Sequence, residues 1–302
     1  MRLGVLFVCL AATLWGLDGV VLTPRLFALP VAFVVFLLHA LPFLIAQPFL
    51  YRSYKRIAAL SPGDFFSLVL VALFGGVVGT LSLVHALFLT QFNQLSVVIL
   101  LQKLQPVFAI ALAALLLKER LYARFLLWAG VAIGGAYLLT FGFSLPDFSA
   151  PNSIEAAVYA VIAAAAFGSA TVFGKRIVTK LDFASTTFGR FGLTALFAAV
   201  IVPFMGGFAF GSMTGTHWLI FLIIAFTTGG GALLLYYYGL RSIKATTSTI
   251  AELCLPLSAI LFDWLVNGSV LAPAQWLGAA VLVAAITRIS LGQATGWQGK
   301  AL

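Results

Sequence analysis

Charge is what this sequence lacks. Only 8% of its 302 residues are Asp, Glu, Lys or Arg, and only eight of them are acidic. A soluble domain carries about 25%, because its surface must be solvated. With 63% hydrophobic residues and a mean hydropathy of +1.13, the chain cannot cover itself in water. That excludes a cytosolic enzyme, a disordered regulator and a nucleic-acid binder. Cysteine is scarce as well. Cys9 and Cys254 both lie in apolar runs, with neither the number nor the spacing of a disulfide framework or a zinc site. His-Glu-x-x-His, Gly-x-Ser-x-Gly, Cys-x-x-Cys and Gly-x-x-x-x-Gly-Lys are all missing. No catalytic residues, cofactor or metal are therefore expected, and no nucleotide site to supply energy.

Long apolar runs are what the chain does have. A helix crossing a bilayer needs about 20 such residues, and ten runs fit: 3–22, 29–50, 65–89, 95–117, 123–143, 156–173, 187–206, 218–239, 247–266 and 274–291. None alternates apolar with polar, which excludes a membrane barrel. Residues 3–22 are read as a span rather than a cleaved leader, because the stretch is long, carries Asp18 and lacks a small-x-small exit. The gaps are too short for a soluble domain, so the lipid bilayer surrounds the whole fold. Numbering the gaps alternately puts fourteen basic residues on the side of the N-terminus, from Arg2 and Arg52 through Lys118 and Lys175 to Lys300. The other side receives Arg25 alone, with Asp147 and Glu155. Positive charge stays in the cytoplasm, so both termini are expected there, in an inner or plasma membrane.

The chain also repeats itself. Ala86…Pro106 sets onto Tyr236…Pro256 at an offset of 150, each followed by a short polar break and a Gly-rich span. Trp15-Gly16 sets onto Phe167-Gly168 at an offset of 152. Residues 1–146 and 147–302 then hold five spans each. Five is odd, so the second copy starts from the opposite side and the repeats are inverted. The fold class expected is an all-α membrane protein of ten transmembrane helices in two inverted five-helix repeats, an architecture of secondary transporters.

The Trp15-Gly16 start, the mid-span Pro106, the Lys118-Glu119-Arg120 turn, the glycines after it and the second copy resemble the drug/metabolite transporter superfamily, in its EamA-type ten-helix branch. That resemblance implies cytoplasmic termini, a central cavity and export of small metabolites by alternating access. The sequence departs from the pattern where Ser269 stands opposite Glu119, where the second span lacks a mate for Arg190, and at Lys103 just before Pro106.

An ionisable residue inside a membrane costs at least about 2.5 kcal/mol and is a functional candidate by default. Lys103 and Glu252 stand on the symmetry-related fourth and ninth spans, and Glu252 aligns with Gln102, one position from Lys103. Three readings stay open. In one, they bind the carboxylate and ammonium of an amino acid or related zwitterion, with Gln102 and Gln105 lining the same cavity. In the second they form an ion pair that neutralises itself, and in the third Lys103 snorkels elsewhere. Asp18 and Glu252 are candidates for proton coupling, since burial makes an ionised carboxylate costly. Trp15 and Phe167 match across the repeats and could stack on a substrate or pack in the core. Arg190 is expected to snorkel to the near interface, His39 and His85 to pack, and Asp263 to be hydrated. Tyr236-Tyr237-Tyr238 reads as an interfacial belt or a gate. Gly75-x-x-x-Gly79, Gly130-x-x-x-Gly134 and Gly229-Gly230-Gly231 read as close helix contacts, and Glu119 as part of a charge cluster. A secondary active transporter of a small-molecule substrate, with a proton or counter-ion as coupling partner, accounts for these features together. A lipid-modifying membrane enzyme would need a catalytic cluster at one interface, and a non-transporting scaffold would not need charges in the membrane.

Overall fold

The computed structural model describes residues 3–90, 98, 101–145, 152–268, 270 and 272–295. Among them nine helices are long and apolar enough to span a bilayer, and one apolar helix is shorter. They are α1 Leu3–Leu26, α2 Val31–Leu50, α3 Pro62–Leu89, α4 Gln105–Leu116 and α5 Ala123–Phe141. The second half supplies α6 Ser153–Val178, α7 Phe183–Phe204, α8 Gly215–Leu240, α9 Ala245–Asn267 and α10 Pro273–Gly292. The short helix α4 has 12 residues. The start of its expected span, the junction at 146 and 147, and Arg2, Asp147, Ser269 and Lys300 lie outside the described residues.

Helix pairing carries the duplication into three dimensions. α5 packs on α10 and α2 on α7, each on its own counterpart, while α1 packs on α8 and α9 just as α6 packs on α3 and α4. Exchanging helix n with helix n+5 reproduces the pattern. With five helices in each half, α6 starts from the side opposite α1, so the repeats are inverted. The side on which α1 begins is called the near side below.

Glycines set the closest crossings. A Cβ built on Gly16 of α1 would lie 2.8 Å from the Ala259 nitrogen of α9, and one on Gly168 of α6 would lie 2.9 Å from the Gln105 oxygen of α4. Such distances leave room only for hydrogen, so the Trp15-Gly16 and Phe167-Gly168 motifs each lay a helix directly on a neighbour from the other half. On α5 the expected Gly130-x-x-x-Gly134 contact is corrected, since a Cβ at either position would meet nothing within 4 Å. Gly135 makes the approach instead, against Gly278-bearing α10.

Two helix breaks sit at the mid-membrane prolines. Turns at Lys103-Leu104 and Glu252-Leu253 interrupt the helices, and Pro106 and Pro256 fall in the first turn after each break. A proline there removes no helical hydrogen bond, because the first N–H groups of a helix have no intrahelical acceptor. Three π-helical turns, where the backbone ring widens by one residue, occur at Asp18–Leu22, Ala72–Val78 and Ala225–Gly229. The last two lie on the repeat mates α3 and α8.

One helix start is capped from the other half. Lys118, after α4, takes a left-handed φ of 52°, at the place where the second repeat has Gly268 at φ 70°. A lysine in that conformation costs about 1 kcal/mol. The turn aims Glu119 at the start of α9, where its carboxylate accepts from the Ala245 N–H at 2.8 Å, the Thr246 N–H at 3.1 Å and the Thr246 hydroxyl at 2.7 Å. The expected charge cluster is corrected accordingly: among the described residues Glu119 forms no ion pair.

Candidate functional site

The helix breaks and π turns converge on one cavity of about 250 Å³ between the two halves, just below the ~300–1,000 Å³ usual for small-molecule sites. Its walls come from the α4 break and from α1, α2, α3, α4, α6, α7, α8 and α9. No described residue of α5 or α10 lines it. Trp15, Asp18, Gln102, Lys103, Gln105, Phe167 and Glu252 all do, so the structure brings these seven expected binding and coupling residues to a single place.

Glu252 is the centre of its polar floor. Standing in the α9 break, its carboxylate accepts from Gln105 Nε2 at 2.6 Å, the Tyr236 hydroxyl at 3.0 Å, the Ser248 hydroxyl at 3.2 Å and the Thr171 hydroxyl at 3.4 Å. Four donors from α4, α6, α8 and α9 thus converge on one acid. Because a carboxylate only accepts, the Gln105 bond fixes that amide with its nitrogen toward Glu252. The Tyr236 ring also meets Trp15, with centroids 5.3 Å apart, so the floor is continuous with an aromatic wall. Phe167 stands one turn from Thr171 and against Gly79 of α3.

Lys103 does not join this network. Its ammonium donates to Thr140 Oγ1 of α5, and no ion pair links it to Glu252 among the described residues. The self-neutralising pair is therefore corrected. The reason is helical geometry: Glu252 aligns with Gln102, and the next residue lies about 100° around the axis at 3.6 residues per turn. Lys103 is buried nonetheless, at 6% exposure, and lines the cavity.

Arg190 does not snorkel. Its guanidinium crosses to α3 and donates to the Gly75 carbonyl at 2.9 Å, inside the π turn, and to the Tyr237 hydroxyl at 3.2 Å. Thr194 holds a second carbonyl of that turn, Ala72, at 3.2 Å. The tyrosine run is no belt, since Tyr236 and Tyr237 are both buried. His39 is packed as expected, with Nδ1 on the Val35 carbonyl at 2.8 Å and its ring against Phe191. His85 packs on Tyr159. Asp263 is bonded to Asn267 at an exposed helix end.

Four buried side-chain polar atoms among the described residues have no hydrogen-bond partner: Asp18 Oδ1, Arg190 Nε, Thr228 Oγ1 and Thr249 Oγ1. All four residues line this cavity. Buried polar atoms are almost always paired with protein or water, and the four exceptions all belong to residues of this one cavity. Sequence reasoning missed Tyr236, Thr228 and Thr249. Three consecutive tyrosines spread over about 200° of a helix, so one must face inward, and that signal was available. Nothing local marked the two threonines.

The chain matches the model of the EamA-like transporter family twice, over residues 2–141 and 154–291. It is 53% identical over 291 residues to a protein of Fusobacterium nucleatum subsp. nucleatum named riboflavin transporter ImpX, covering 95% of this chain and 97% of that one. A solved crystal structure shares the fold with a TM-score of 0.75 at 16% identity, over 96% of this chain and 98% of the other. Two successive matches to one family model, on halves that pack through exchanged helices around a shared cavity, mean that the chain belongs to the EamA-like transporter family and is a membrane transporter, not an enzyme.

Proposed function

We propose that the protein carries riboflavin, or a closely related flavin, across the membrane by alternating access through this cavity. The observation that carries the reading is the 53% identity, nearly end to end, to a relative named a riboflavin transporter. The chemistry of the cavity supports it. A flavin is a flat fused ring with an imide edge and a polyhydroxyl chain, and it needs both stacking surfaces and many hydrogen-bonding atoms. Trp15, Phe167 and Tyr236 offer aromatic faces, where a ring pair is worth about 0.5–1.5 kcal/mol beyond its burial. Gln102 and Gln105 offer amides that match an imide edge, and Glu252 orients Gln105 and Tyr236. A zwitterionic amino acid ranks second. The Glu252 carboxylate is already occupied by four neutral donors, which makes it a poor socket for an ammonium group. The distribution of basic residues supports a cytoplasmic near side. Without a nucleotide motif, the driving force is a gradient of flavin, or of a proton or counter-ion, with Asp18 and Glu252 as the carboxyls a proton would reach.

Liposomes containing the purified protein test this. Saturable flux of fluorescent flavin is expected, absent from protein-free vesicles and lowered by Trp15→Ala and Glu252→Gln. Comparing loaded with empty vesicles gives the direction, where the EamA resemblance implies export. Amino-acid flux with neither flavin flux nor flavin binding would overturn the proposal.

A further inference from the structure

The four unpartnered atoms fall at two depths of the cavity: Arg190 Nε and Thr249 Oγ1 lie with the Glu252 floor, Asp18 Oδ1 and Thr228 Oγ1 beyond it. Glu252, near the start of α9, has its bonding filled. About two turns farther from the near side, Asp18 opens the π turn of α1 and Thr228 lies in the π turn of α8. Thr228 and Thr23 flank the Asp18 carboxyl, yet neither Asp18 Oδ1 nor Thr228 Oγ1 completes a hydrogen bond. Thr228 is only 1% exposed. This pole offers an acceptor at Asp18 and a hydroxyl of either sense at Thr228. A run of hydroxyls matches this pair, since each gives one hydrogen bond and accepts others, while the imide edge of the ring has the Gln102 and Gln105 amides.

Resting on the flavin reading above, we infer that Asp18 and Thr228 form a polyol subsite. It holds the hydroxylated chain of the ligand and orients the ring toward Trp15, Phe167 and the Glu252 floor. The two residues determine specificity for the chain, while the aromatic wall accepts any flavin ring.

Binding of riboflavin and of lumiflavin, the same ring with a methyl group in place of the chain, separates the two layers of the argument. Quenching of flavin fluorescence on the purified protein reads both. Wild type is expected to prefer riboflavin by about ten- to a hundredfold, the worth of one or two hydrogen bonds to charged groups. Asp18→Asn and Thr228→Val should each weaken riboflavin about tenfold or more and lumiflavin less than twofold, and Thr228→Ser should restore the preference. Thermal melting of each variant confirms that it is folded. If wild type binds both flavins equally, or the variants weaken both in parallel, the subsite is wrong while the flavin reading stands. If neither flavin binds wild type, the flavin reading fails first.

Discussion

Substituting alanine for single glycines on α5 and α10 should produce effects of opposite sign at neighbouring positions. A Cβ on Gly278 would lie 2.3 Å from the Leu139 nitrogen and 2.8 Å from the Gly135 oxygen. Backbone atoms cannot swing aside, and carbon contacts settle at about 3.5 Å. The two helices must then part by roughly 1 Å, losing contacts along the most extensive helix pair in the protein. Overpacking of that kind costs about 1–3 kcal/mol. Gly134 is the control, because a Cβ there meets nothing within 4 Å. Gly134→Ala removes only the entropy cost of a helical glycine and should stabilise by up to about 1 kcal/mol. Unfolding in detergent, followed by temperature or denaturant, measures both. Neither residue lines the cavity, so flavin affinity per folded molecule should stay unchanged. Equal losses at the two sites, or no loss at Gly278, would refute the backbone-contact argument.

Three further outcomes are expected. Tyr236→Phe keeps the ring against Trp15 but removes a donor to Glu252, so flavin affinity should fall about tenfold, with Tyr236→Ala weaker still; unchanged affinity for Tyr236→Phe would separate the Glu252 network from binding. Burial alone would raise the Asp182 carboxyl, yet the Ser185 hydrogen bonds and the Arg56 charge hold it below its usual range. Its small contribution to stability is thus present above the unfolded value of about 3.9 and lost as pH falls through the lower folded value, and acid titration of unfolding should show this dependence weakened in Asp182→Asn. With cytoplasmic termini, a membrane-impermeant thiol reagent on intact cells should label a cysteine placed in the 145–153 loop and miss one at residue 300; labelling at 300 would reverse the topology.

Much of the fold was legible because burial in lipid imposes one rule on every span. Apolar length placed α2, α5 and α10 within a few residues, and the offset of 150 put Pro106 and Pro256 in equivalent helix breaks. The expectation that intramembrane charges mark the cavity led to Asp18, Lys103 and Glu252. Their partners were less legible. Lys103 turned toward Thr140 because one residue of helix rotates a side chain by about 100°, and an alignment good to one residue cannot resolve that. Arg190 had a reason to stay inside that no local pattern displays: carbonyls of a π turn on another helix. The same holds for Thr228 and Asp18, whose proximity depends on two π turns produced by packing and not by composition. Tyr236 was misread for a simpler reason, that a tyrosine near a helix end suits an interface and a buried acid equally well.

Glu119 has a consequence for the balance between the two faces of the protein. In a molecule made of two equivalent halves, opening toward either side would cost the same. Any opening that separates the α4–α5 turn from the start of α9 must break the three hydrogen bonds on the Glu119 carboxylate. The mate of that acid is Ser269, a neutral hydroxyl that cannot present two anionic oxygens to a helix start. Even one charge-assisted bond, at about 1.5–3 kcal/mol, corresponds to a population ratio of roughly ten to a hundredfold. Opening of that kind therefore carries a cost that a single carboxylate sets.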